Sequence, residues 1–148
     1  MSLEYTIDAI DKQILCELQQ DARLSYSELG RRINLSQPAT AERVKKLESI
    51  GIITGYQAQI DQTKIGCPIR AMIRLTVKTP HHVIQAGIQA IPAISECLVV
   101  TGDDCYIIFA NLPDIPSLEA LLIQIKQYGQ TATSIVLSNL IEPRMVSF

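Results

Sequence analysis

Tryptophan is missing from this chain of 148 residues, and phenylalanine occurs only twice. Its cores are therefore aliphatic, drawn from a composition that is 47% hydrophobic and 19% charged, which is ample for packed domains. No apolar run approaches the roughly 20 residues that a membrane-spanning helix requires. Met1 to Ala9 carries Glu4 and Asp8 where a secretory leader has an unbroken apolar stretch. The expected location is the cytoplasm. Cys16, Cys67, Cys97 and Cys105 lie 51, 30 and 8 residues apart, the spacing of neither a metal site nor a disulfide framework. They are expected to be reduced thiols serving as small apolar residues. His81 and His82 are adjacent, cannot share one helical face, and read as exposed residues at a helix start. No histidine suits a catalytic triad, and no glycine loop suits a phosphate. The carboxylates of Asp103 and Asp104 disfavour the thiolate that Cys105 needs as a nucleophile. No enzyme, metal or cofactor is implied.

What the chain does contain is a paired-helix pattern between Ser25 and Lys46. Ser25 stands three residues before Glu28, the spacing of a capping box. The helix it opens carries Leu29 and Ile33 inward and Arg31 and Arg32 outward, ending near Asn34. Ser36 then caps a second helix, with Pro38 tolerated in its first turn. Thr40, Val44 and Leu47 form its buried stripe, while Arg43, Lys45 and Lys46 lie off it. Two short helices joined by a tight turn describe a helix-turn-helix, whose second helix enters the major groove. From Arg23 to Lys46 there are six bases against two acids, Glu28 and Glu42, a local +4 in a chain of net charge −2. That is the footprint of one basic face on an acidic protein. Gln37, with Ala39 or Ala41, is expected to meet base edges. Ser36, Arg43, Lys45 and Lys46 are expected on phosphates, helped by Arg23, Ser25 and Arg31 or Arg32. An alternative for Arg43 is an ion pair with Glu28 or another helix.

The remaining pattern divides the chain into residues 1–60 and 61–148. Ile7 to Gln20 reads as a helix backing the other two, with Asp8 and Asp11 at the favourable end of its dipole. Gly51 ends the third helix, and Ile52 to Ile60 reads as extended, a wing followed by a strand hinge. From Ile69 to Val77 apolar and polar residues alternate, the signature of a half-covered strand. Next come a helix from Pro80 to Ile91 (Val83, Ile84, Gly87, Ile88 and Ile91 inward) and strands over Ile94–Thr101 and Cys105–Ala110. A helix capped by Asp114 and a strand over Thr131–Leu140 complete the chain. Strand-helix-strand-strand-helix-strand is the ferredoxin-like order, so the fold class is α+β. With both helices on one sheet face, Met72, Cys97 or Leu98, Val99 or Val100, and one side of Tyr106–Phe109 are expected to form an open apolar area. Such a patch suits dimerisation; self-coverage by the termini is the alternative.

Several stretches together are more specific than a bare helix-turn-helix. They are Ile10 to Leu15, Asp21 to Ser25, Leu35-Ser36 with Arg43 to Glu48, Gly51 to Tyr56, and the Thr101-Gly102 turn. On these the chain resembles the Lrp/AsnC (leucine-responsive and asparagine-synthetase-regulator, "feast/famine") family of prokaryotic transcription regulators. The resemblance implies a winged helix-turn-helix reader, a strand hinge and a C-terminal domain responding to amino acids. It also implies dimers that associate further, commonly to octamers, and bend or wrap double-stranded DNA. An effector, usually an amino acid, is implied at Thr101, Gly102, Asp103, Asp104 and Cys105. The family commonly carries Gly-x-Tyr-Asp there, so Asp104 and Cys105 stand at the Tyr and Asp positions. An architectural DNA-bending protein without an effector is the alternative function.

Overall fold

The computed structural model describes residues 5–77, 81–102, 106–141 and 144–146. Two units are distinguished: Met1–Gln59 with Ile141–Phe148, and Ile60–Leu140. The tail from Ile141 thus groups with the first unit, whereas the sequence pattern assigns it to the second. A fastening of this tail to the first helix is visible at Gln19. That carboxamide accepts from the Val146 N–H (2.7 Å) and donates to the Val146 carbonyl (3.1 Å).

The first unit is built on three helices, α1 (Ala9–Gln20), α2 (Tyr26–Ile33) and α3 (Gln37–Ser49). Ile14, Leu15, Leu29, Ile33, Val44 and Leu47 form its core. The reciprocal capping box expected at Ser25 and Glu28 occurs instead at α1. Asp8 accepts from the Asp11 N–H, and Asp11 accepts from that of Asp8. Ser25 does cap α2, accepting from the Glu28 N–H at 3.1 Å, but the Glu28 carboxylate turns outward to two arginines. After α3, Ile52 and Ile53 both donate to the Leu47 carbonyl and pack against the core. This stretch therefore closes the helix C-terminus. Among the described residues, 52–60 form no strand ladder, and the strand pair expected of a wing is not made.

The second unit holds β1 (Ile69–Val77), α4 (His81–Gln89), β2 (Ile94–Val99), β3 (Tyr106–Leu112), α5 (Ile115–Lys126) and β4 (Gly129–Ile135). The sheet order is β2-β3-β1-β4, antiparallel at every pairing, which is the ferredoxin-like arrangement. Ala71, Ile73, Leu75, Ile108 and Ala110 face the helices and bury against Ile84, Ile88, Leu118, Leu121 and Ile125. Asp114 caps α5, accepting from the Ser117 N–H at 2.8 Å. The expectation that Val83 faces inward is corrected: it is exposed, because Ile84 and Ile88 occupy the buried line of α4.

On the open sheet face, register decides between the expected alternatives. Register places Leu98 opposite Ile107, but Cys97 opposite Ile108 and Val99 opposite Tyr106, on the helix-facing side. Met72, Ile107 and Phe109 are half-buried at the centre of the open face, flanked by Arg70 and Arg74. The Arg70 guanidinium lies over the Phe109 ring, 5.1 Å from its centroid. No helix among the described residues is long and apolar enough to cross a membrane.

Candidate DNA-reading face and effector turn

The turn between α2 and α3 is held by local bonds and one close approach. Asn34 takes the left-handed conformation (φ 57°) that ends α2, and the Leu35 N–H donates to the Gly30 carbonyl at 2.9 Å. A Cβ on Gly30 would lie 2.6 Å from the Leu35 carbonyl oxygen and 2.8 Å from Thr40 Oγ1. Only glycine allows the turn to fold back so tightly. Ser36 then accepts from the Ala39 N–H at 3.4 Å, and Thr40, fully buried, donates its hydroxyl to the Ser36 carbonyl. α3 thus begins with Gln37 and Pro38 exposed and Ala39 and Ala41 half-buried.

The arginines are less available than their count implies. Arg31 makes a two-point pair with Glu28 (2.9 and 2.7 Å), and Arg32 bridges Glu28 (3.0 Å) and Glu17 (2.8 Å). Hydrogen bonds from Arg31 and Arg32 hold the Glu28 carboxyl down at about 2. Arg43, expected on phosphates, points instead to the start of α1. Its Nη1 lies 2.7 Å from Asp8 Oδ2 and 2.9 Å from Asp11 Oδ1, and Asp11 is fully buried. Tyr5 donates to Asp11 Oδ2 at 2.6 Å, and this bond raises the phenol above its ordinary range. The partner of Arg43 is thus on another helix, the alternative expected for it. A buried carboxylate needs an enclosed cation more than DNA does.

Lys46 lies with Nζ over the Tyr5 ring, 4.4 Å from its centroid, and is an exposed residue. Arg23 and Lys45 are exposed and form no ion pair with a described residue. Ser25 is exposed, with its hydroxyl used as a cap. On the far side of α3, Tyr56 donates to Glu48 at 2.9 Å. Burial and this bond push the phenol up to about 12.

Neither residue network signalled itself in the sequence by spacing. Tyr5, Asp11 and Glu17, which hold the side chains around α3 and α2, are the partners that sequence reasoning missed. The one available signal was an acidic residue placed among the apolar positions of α1, at Asp11.

In the second unit, Thr101 and Gly102 are exposed beyond β2, and Gly102 has φ 111°, a conformation suited to glycine. Asp103, Asp104 and Cys105 lie outside the described residues. A hollow of about 520 Å³ opens between α4 and β2, lined by Gln85, Ile88, Gln89, Cys97, Val99 and Tyr106 among others.

A helix-turn-helix joined to a ferredoxin-like domain defines a class of DNA-binding regulators. Residues 7–48 match the AsnC-type helix-turn-helix domain, and residues 70–146 match the Lrp/AsnC ligand binding domain. The chain is 38% identical over 135 residues to the HTH-type transcriptional regulator LrpC of Bacillus subtilis, covering 90% of this chain and 94% of that protein. The solved structure of B. subtilis LrpC superposes with a TM-score of 0.90 over 94% of this chain and all of that one, at 36% identity. A Neisseria meningitidis transcriptional regulator, solved as an L-Met complex, gives 0.88 at 25% identity, covering 96% and 97%. The feast or famine regulatory protein of M. tuberculosis, complexed with L-methionine, gives 0.87 at 29% identity, covering 94% and 97%. The chain belongs to the Lrp/AsnC family of transcription regulators.

Proposed function

We propose that this regulator reads duplex DNA with the outer face of α3, working as a dimer or higher oligomer in the cytoplasm and without catalysis. One observation carries the reading. The capped start of α3 leaves Gln37 and Pro38 exposed, with Lys45 further along, while its opposite side is locked into the helical core. Gln37, Pro38, Ala39 and Ala41 meet base edges, and Lys45 and Lys46 meet phosphates, with Arg23 and the surface near Ser25 and Ser36 alongside. Arg31 contributes only after releasing Glu28. Dimerisation through the open sheet face, around Met72, Leu98, Ile107 and Phe109, sets the separation of two reading helices.

The effector is a free amino acid, bound at Thr101, Gly102, Asp103, Asp104 and Cys105. Support comes from the ligand-binding-domain match and from the methionine complexes of two similar proteins. Carboxylates in the turn suit an α-ammonium group.

Titration of labelled duplex against the protein over a salt series tests the DNA reading. Retention falling steeply with salt supports it, and no retention on any duplex overturns it. Calorimetry against the common amino acids tests the effector. Silence toward all of them, with DNA binding intact, favours an architectural DNA-bending protein.

A further inference from the structure

α3 buries Thr40, Val44 and Leu47. A helix turns by about 100° per residue, so the line opposite that stripe runs through Pro38, Glu42, Lys45 and Ser49. All four are exposed. The roll of the helix is fixed by two contacts on one flank, Arg43 to Asp8 and Asp11, and Lys46 over Tyr5. Those contacts draw two cations aside from the outer line. The carboxylate left in the middle of it is Glu42, which makes no ion pair or hydrogen bond with a described residue.

A solvated glutamate on a helix needs no explanation by itself. On the face that meets a polyanion it does, because every negative charge there subtracts from the phosphate attraction. An ionised carboxylate is an acceptor only. In the major groove guanine offers two acceptors and thymine an acceptor and a methyl, and both repel it. Adenine places an acceptor beside its amino group. Cytosine presents its N4 amino group as a lone donor, the natural partner of a carboxylate.

Building on the DNA-reading role of α3, we propose that Glu42 is a specificity-determining residue. It accepts a hydrogen bond from cytosine N4 of one G·C pair in each half-site, and it repels duplexes that offer an acceptor at that point. The charge raises discrimination while lowering affinity for unrelated sequence.

Selection of duplexes with randomised centres by the wild-type full chain, Glu42→Ala and Glu42→Gln tests this. The wild type is expected to retain duplexes with a G·C pair at one fixed position per half-site, and exchange of that pair weakens binding roughly tenfold or more. Glu42→Ala is expected to level that position and to bind random duplex more tightly than the wild type. Glu42→Gln, nearly isosteric, is expected to move the preference toward adenine, whose N6 and N7 suit a carboxamide. A wild-type preference kept unchanged at every position by both variants overturns the assignment and leaves the DNA reading standing. Failure of the wild type to hold any duplex overturns both.

Discussion

Arg43 of the reading helix and Asp11 of α1 are joined at 2.9 Å, and the carboxylate end of that bond is closed to water. The pair fastens the middle of α3 to the first turn of α1, so its loss acts on stability before it acts on DNA. Arg43→Met leaves a buried carboxylate with only Tyr5 and the Asp8 N–H as donors. A fully enclosed pair broken on one side costs roughly 3–5 kcal/mol, and the 31% exposure of Arg43 lowers the expectation to about 2 kcal/mol. Urea denaturation of Arg43→Met, Asp11→Asn and the double variant measures it. The double variant is expected to lose less than the two singles added together, as contacting residues do. Additive losses would separate the two residues energetically.

Lys45 and Arg31 carry the same charge in the sequence but are expected to differ on DNA. Lys45 has no acidic partner among the described residues, whereas Arg31 is matched to Glu28 at two points. Lys45→Ala should weaken all duplexes alike and flatten the log–log salt slope by about one unit per reading helix. Arg31→Ala should change the slope by much less. The salt series for the two variants, run side by side, decides this; equal slopes would place Arg31 at the phosphates after all.

Glu28 also governs behaviour in acid. Its carboxyl is held at about 2, below the ordinary 4.5, by Arg31 and Arg32. A depressed carboxylate stabilises the fold fully above its unfolded value and loses that contribution as pH falls. The window therefore runs from about 4.5 down to about 2. Thermal melts of wild type and Glu28→Gln across that window should converge as the pH drops, because the glutamine has no proton to gain. At neutral pH the same variant should bind duplex more tightly, since it releases the Arg31 guanidinium while Arg32 stays with Glu17.

Much of this architecture was legible in local pattern. Ser25, Ser36 and Asp114 cap where their spacing from a helix start indicates, and Thr40, Val44 and Leu47 are buried as their periodicity requires. The alternation from Ile69 to Val77 is a strand with Ala71, Ile73 and Leu75 inward. Contacts between distant segments were not legible. Arg43 could have served DNA or an acid, and nothing nearby in sequence marks Asp8 and Asp11, over thirty residues earlier, as its partners. The sides of β2 were open for another reason. The register shift between Ile94 and Glu96 decides which face Cys97 and Val99 take, and a slip of one residue reverses every side chain. Glu42 stood in the charge count only as an opposing acid; its place on the outer line follows from the buried stripe of α3.

Gly30 gives the most direct link between backbone geometry and reading. On helix propensity alone, Gly→Ala within α2 should stabilise by about 1 kcal/mol. Here the added methyl meets the Leu35 carbonyl oxygen at 2.6 Å and Thr40 Oγ1 at 2.8 Å. The first of these is backbone of the turn itself, and the second is a fully buried side chain already bonded to Ser36. Neither can yield without moving the start of α3, so overpacking of about 1–3 kcal/mol exceeds the propensity gain. Gly30→Ala is therefore expected to lower the urea midpoint and to weaken duplex binding further than the stability loss alone explains, because Ser36, Gln37 and Pro38 shift together. Binding measured below the unfolding transition, with circular dichroism confirming the helical content, checks this. A variant more stable than wild type, with unaltered affinity, would mean the turn has room that the 2.6 Å approach denies.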